Sequence, residues 1–216
     1  MSRTWVSVSK LASLLLLQVV IAFGAIVYDN GGPNTSSGYA IVDESSTLDD
    51  FMITAGAEIR SVGFYFQNYQ GITGWENDIS YIIRADESDV PGGILASGDG
   101  VNVNAVDSGS PWCCGGGNAW LVTFDLENPF QAVAGVTYWL ELYGASGPSP
   151  WWVTADPNGT LSGRTGAVGG ITSSAGSEFA FYLEGEDSPA VPEPSSMALL
   201  ATGGAVLLLG RRFRTR

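Results

Sequence analysis

Any chemistry in this chain must come from carboxylates, two neighbouring thiols or indole rings, because its 216 residues include no histidine. A Ser-His-Asp triad, a Cys-His dyad and a histidine metal site are therefore excluded. Carboxylates are plentiful, with 22 Asp and Glu in the chain. A glycosidase needs two of them facing one cleft, about 5 to 10 Å apart. Glu76, Asp78, Asp125 and Glu141 are the candidates, yet among so many acids a chance pair is expected, and a solvated acidic surface is the plainer reading. Asp86, Glu87 and Asp89 fall in one turn-like stretch and offer the oxygen ligands that suit calcium. The helical calcium-loop pattern, with its central Gly and final Glu, is absent there.

The thiols are Cys113 and Cys114, adjacent in "PWCCGGG". Neighbours in sequence cannot staple distant parts of a domain, which leaves a vicinal disulfide, a bond to another chain, or a reduced loop. Two thiolates without histidine fall short of the four ligands of a structural zinc site. Tryptophans gather in the second half as Trp112, Trp120, Trp139, Trp151 and Trp152. Exposed indoles stack on sugar rings and buried ones fill a core. Trp139 sits opposite the apolar face of its strand, and Trp151 and Trp152 point to opposite sides if extended. Trp139, Trp151 and Trp152 are thus the candidates for sugar stacking, with core packing as the competing role.

The elements that would hold these groups are strands. "IRSVGFYFQ" places Val62, Phe64 and Phe66 on one face, "SYIIRAD" places Tyr81 and Ile83, and "WLVTFDLE" places Val122, Phe124 and Leu126. "VTYWLELY" adds Val136, Tyr138, Leu140 and Leu142, and "EFAFYLEG" adds Phe179, Phe181 and Leu183, all on period two. The turn formers "NGGPN", "DVPGG", "SGDG", "GASGPSP" and "DPNG" separate these runs. Short alternating strands with such breaks predict an all-β fold, a single antiparallel sandwich or jelly roll. Between Ile26 and Ser188, 21 acids face only three arginines, Arg60, Arg84 and Arg164, a balance of −18. Such a surface repels phosphate backbones and anionic lipid, so nucleic acid is no partner.

The two ends differ from this body. Arg3 and Lys10 precede "LASLLLLQVVIAF", and small residues follow at Ala22, Gly24 and Ala25. Positive, apolar and small-residue regions in that order predict a secretory signal peptide over 1–25, removed by signal peptidase. A retained anchor or buried helix competes, but the run is short for a span of about 20 residues. At the other end, Pro192 and Pro194 forbid a regular helix before Ser195, which makes "VPEP" an extended linker. Ser195 to Gly210 is sixteen residues, about 24 Å as a helix against a hydrocarbon core of about 30 Å. Arg211, Arg212, Arg214 and Arg216 then hold that end on the cytoplasmic side.

This tail resembles the PEP-CTERM sorting signal of bacteria that make extracellular polysaccharide. Val191, Pro192, Glu193 and Pro194 stand as the motif, Ala198 to Leu209 as the membrane segment, and the arginines as the basic stop. The resemblance implies handling by an exosortase, a membrane protease or transpeptidase, from an inner-membrane precursor to the cell surface or matrix. More loosely, "DESDVPGGILASG" and "FDLENPFQAVAGVTYWLELY" resemble β-sandwich domains of bacterial surface proteins. The expected layout is a signal peptide over 1–25, a sandwich over 26–188 and a sorting signal over 189–216. The expected role is structural or adhesive in a polysaccharide layer, without catalysis and without a cofactor other than calcium. A carbohydrate-binding module is the alternative, followed by a carboxylate-dependent glycoside-acting enzyme.

Overall fold

The computed structural model describes residues 24–187 apart from Tyr69, residues 114–116 and Ile171. Residues 1–23 of the signal peptide expected over 1–25, Cys114, the sorting motif Val191 to Pro194, the apolar segment and the terminal arginines lie outside the described residues. Among the described residues every regular element is a strand. In chain order these are β1 (Ala25–Asp29), β2 (Pro33–Ala40), β3 (Ser45–Met52), β4 (Ala57–Asn68), β5 (Ser80–Asp86), β6 (Pro91–Pro111) and β7 (Asn118–Ala132). They continue as β8 (Thr137–Tyr143), β9 (Pro150–Ala155), β10 (Arg164–Ala167), β11 (Thr172–Ser174), β12 (Glu178–Phe179) and β13 (Phe181–Asp187).

All pairings are antiparallel, and they build two layers. One layer runs β1, β13, β4, β7 and the second part of β6, while β9 continues along β4 past the end of β13 and joins β2 and β12. The other runs from the first part of β6 through β5, β8, β3 and β10 to β11. The layers are joined through β6, which is 21 residues long. Its residues Pro91 to Asp99 pair with β5, and Gly100 to Pro111 pair with β7. Gly100 marks the crossing. A Cβ there would stand 2.7 Å from Ile79 Cγ2 and 2.9 Å from Phe124 Cδ2, so only glycine lets the strand pass this close to the core.

Both inner faces carry the apolar residues that the period-two pattern predicts. Val62, Phe64, Phe66, Val122, Phe124, Leu126, Phe181 and Leu183 from one layer meet Phe51, Tyr81, Ile83, Tyr138, Leu140 and Leu142 from the other, all buried. Burying each large side chain of this kind is worth roughly 1.5 to 3 kcal/mol. Val136 departs from the expectation. It precedes β8 and is 41% exposed, because the chain turns at Gly135, whose φ is 72°, before the strand begins. "DVPGG" and "SGDG" depart as well: Pro91 to Gly93 and Ser97 to Gly100 belong to β6 rather than to turns. Glycine is tolerated there because the strand is irregular, with register shifts along both its partners.

Two features of the layout bear on the site. β3 pairs with β8 over Thr47–Met52, but with β10 only over Ser45–Leu48. Its other edge is therefore released by β10 at Asp49 and Asp50. In the opposite layer, β1 lies beside β13 with Ala25 opposite Gly185, so the body's first and last strands meet at the same end of one sheet.

Candidate functional site

At the released edge of β3 three carboxylates come together. Asp49 and Asp50 meet Glu178 of β12, and one carboxylate oxygen from each lies within 4.8 Å of the other two. All three residues are buried, at 0%, 4% and 4% exposure. Asp49 and Asp50 are consecutive, so their side chains leave opposite faces of β3. Only at a strand edge can both turn towards one point. Glu178 arrives because β12 pairs with β9, with Glu178 opposite Ala155 and Phe179 opposite Thr154.

A polar frame holds the cluster. Asn30 follows β1 and donates through Nδ2 to Asp49 Oδ2 at 2.8 Å and to the Phe179 carbonyl at 2.9 Å. The Phe179 N–H donates to the same Asp49 oxygen at 2.6 Å, and the Asp50 N–H donates to Asp49 Oδ1 at 3.0 Å. Asn30 Oδ1 accepts from the Tyr28 hydroxyl at 2.6 Å and from the Asn158 amide. The Thr160 hydroxyl donates to Asn158 Oδ1 at 2.6 Å, and its oxygen lies 3.1 Å from Glu178 Oε2. Asp50 is served differently. Its Oδ1 is buried without a hydrogen-bond partner.

The electrostatics follow from this crowding. Burial, and then the Glu178 charge, hold the Asp49 carboxyl well above the usual range, against the bonds donated by Phe179 and Asp50. The same two causes push Asp50 up to about 6, and burial raises Glu178. Burial and the three carboxylates also raise the Tyr28 phenol. Among the described residues the ion pairs are those of Arg60 with Glu58 and Glu186, and of Arg84 with Glu141. None reaches this cluster. Three such carboxylates can share protons, or they can converge on a hard cation.

The residues singled out from sequence lie elsewhere. Trp139 is fully buried, donating Nε1–H to Asp86 Oδ1 at 2.9 Å beneath the Arg164 guanidinium, which sits 5.4 Å from the ring centroid. Trp152 is fully buried against Phe64, Phe179 and Phe181 and donates to the Ala180 carbonyl at 3.0 Å. Neither ring has a face to offer a sugar, because the Arg164 side chain of β10 lies over Trp139 and the sandwich core encloses Trp152. Trp151 alone of the three is half-buried, 6.1 Å from Trp112. These two rings, with Tyr65, Ala119 and Val153, make a small apolar cluster apart from the main core. Beside it, Cys113 is disulfide-bonded, and its sulfur lies 3.2 Å from the Ser36 carbonyl oxygen.

The remaining acids are dispersed. Asp86 Oδ2 accepts from the Asp89 N–H at 3.2 Å and Glu87 Oε1 from the Gly93 N–H at 3.2 Å, so these carboxylates brace their own turn. Asp78 Oδ1 accepts from Ser146, and Glu76 lies on the same loop before β5. Asp125 accepts from Ser61 and Asn102, on the outer side of one layer. Glu141, paired with Arg84 at 2.7 Å, lies on the outer side of the other layer. Asp125 and Glu141 therefore cannot face a common cleft.

The Asp49, Asp50 and Glu178 group was not read from the sequence, since Glu178 lies more than a hundred residues from its partners. A local signal existed. Asp49 and Asp50 sit within the strand-like run "TLDDFMI", between Leu48 and Phe51, where a solvated pair is out of place.

Residues 190–214 match the PEP-CTERM protein-sorting motif. Among curated proteins none matches the chain. The motif marks an exported protein that an exosortase, itself a membrane protein, sorts from a membrane-anchored precursor to the surface.

Proposed function

From delivery through this motif, we propose that the folded body is a structural or adhesive component of an extracellular polysaccharide layer and not an enzyme. The observation that carries the reading is the sorting motif at 190–214 joined to an all-strand body. Two further features are consistent with it. The sandwich interior is filled by side chains, and the acids first considered for glycoside chemistry are spread over different faces. An N-terminal signal removed by signal peptidase completes the route, with the mature body starting at Ala25 or Ile26, at the head of β1.

Fractionation of the producing bacterium tests both halves of this reading. The natural chain is expected to be cut near the motif, to co-purify with the polysaccharide and to be released when the polymer is digested. With Pro192, Glu193 and Pro194 replaced by alanine, the chain should still be exported but stay full length in the membrane fraction. Cutting of that variant like the natural chain would sink the sorting role of the tripeptide. Natural protein free in the medium, indifferent to the polymer, would sink the adhesive role. A carbohydrate-binding function is favoured by one observation, the half-buried Trp151 beside Trp112. Retardation in polysaccharide gels that Trp151→Ala abolishes would select it.

A further inference from the structure

We propose that Asp49, Asp50 and Glu178 bind a calcium ion at the released edge of β3, and that this ion ties together four chain segments distant in sequence. Three observations carry the assignment. The first is the geometry: one oxygen from each carboxylate lies within 4.8 Å of the other two. Calcium holds its oxygens at about 2.3 to 2.6 Å, so oxygens on opposite sides of one ion stand roughly twice that distance apart. The three can reach a single ion without moving the strands. Magnesium demands a near-ideal octahedron and keeps several of its waters, which suits a buried cluster of three carboxylates less well.

The second observation is the unsatisfied oxygen. Asp50 is 4% exposed, and its Oδ1 has no hydrogen-bond partner. A buried acceptor of this kind bears its full desolvation cost when left unpaired. An ion in the cluster supplies what it lacks. The third observation is the missing counter-charge. Among the described residues no arginine pairs with any of the three acids; Arg164, which enters opposite Leu48 on the neighbouring strand, turns instead to the Asp89 carbonyl at 2.8 Å and to the Trp139 ring. Meanwhile Asn30 and the Phe179 N–H both donate to Asp49 Oδ2, which fixes that oxygen and leaves Asp49 as an acceptor.

The ion would join β3, the segment entering β13 and, through Asn30 and Thr160, the end of β1 and the loop before β10. Its remaining ligand positions fall to water or to carbonyls of that loop. The rival arrangement is a proton shared among the acids, with no metal. Extracellular modules bind calcium at about 10⁻⁴ to 10⁻³ M, and the same range is expected here.

The test uses the full chain in a mild detergent, stripped with EGTA and melted with increasing calcium chloride. A saturable rise in Tm is expected, about 5 to 10 °C at a hundredfold excess over Kd, with one ion bound per chain by titration calorimetry. Asp50→Asn and Glu178→Gln should abolish the rise. In EGTA these two variants should melt at or above the natural chain, because each removes a carboxylate from a crowded buried cluster. That last readout separates loss of a ligand from failure to fold. Glu87→Gln and Asp89→Asn, in the other acidic stretch, should leave the rise intact. No calcium response in the natural chain up to about 10 mM, a response kept by Asp50→Asn, or one lost in Asp89→Asn would each overturn the assignment.

Discussion

Asp50 shows how one buried carboxyl sets the pH behaviour of the metal-free protein. Its folded-state pKa of about 6 lies above the usual 3.8, so between these values the folded chain holds a proton that the unfolded chain has released. Stability from this group is therefore complete below the unfolded value and is lost as pH rises through about 6. In EGTA the chain should melt higher at about pH 5 than at about pH 8, and Asp50→Asn should flatten the difference. A natural chain that melts higher at the alkaline end would contradict the crowding of Asp49, Asp50 and Glu178. At this scale the sequence was legible where a side chain answers to its neighbours along the strand and opaque where it answers to distant ones. Phe64 and Phe124 follow from alternation, whereas the union of Asp49 with Glu178 depends on where β10 stops pairing with β3. Trp139 illustrates a middle case. Its place opposite the apolar face was legible, but the Arg164 and Asp86 contacts that bury it come from other segments.

Among the elements, β4, β5, β7, β8 and the β12–β13 pair announce themselves by period two and β-forming residues, and their inward faces match the pattern, with Val136 before β8 the exception. β6 does not. Its glycines and its proline read as punctuation, because local composition cannot show that a strand is kept continuous by pairing with β5 on one side of Gly100 and with β7 on the other. β3 hid for the opposite reason, its acids breaking the apolar alternation that Phe51 and Ile53 otherwise extend. The crossing at Gly100 offers a direct check. Gly100→Ala would press a methyl group against Ile79 and Phe124 and should cost about 1 to 3 kcal/mol in urea unfolding, with the slope of the transition unchanged. Unaltered stability would mean that the two layers can separate there without loss.

For the molecule as a whole, the sorting motif was legible in full because it is read linearly: a tripeptide, an apolar run and arginines in order. The body's role is harder to read, since a filled sandwich serves many tasks and its acidic exterior excludes partners more readily than it names them. The adjacency of β1 and β13 carries a mechanical consequence. Hydrogen bonds of an antiparallel pair lie across the strands. Drawn apart at Ala25 and Asp187, which leave the same end of one sheet, the two strands open one bond at a time, like a zip. If the tail is the sole tether and the far side of the body is held by polymer, tension runs along β13 instead, loading its bonds to β1 and β4 together in shear. Single-molecule pulling on the folded body should give a higher rupture force from residue 187 against the far end than from residue 187 against residue 25. Removal of the N-terminal segment would thus convert a body that peels under load into one that bears it.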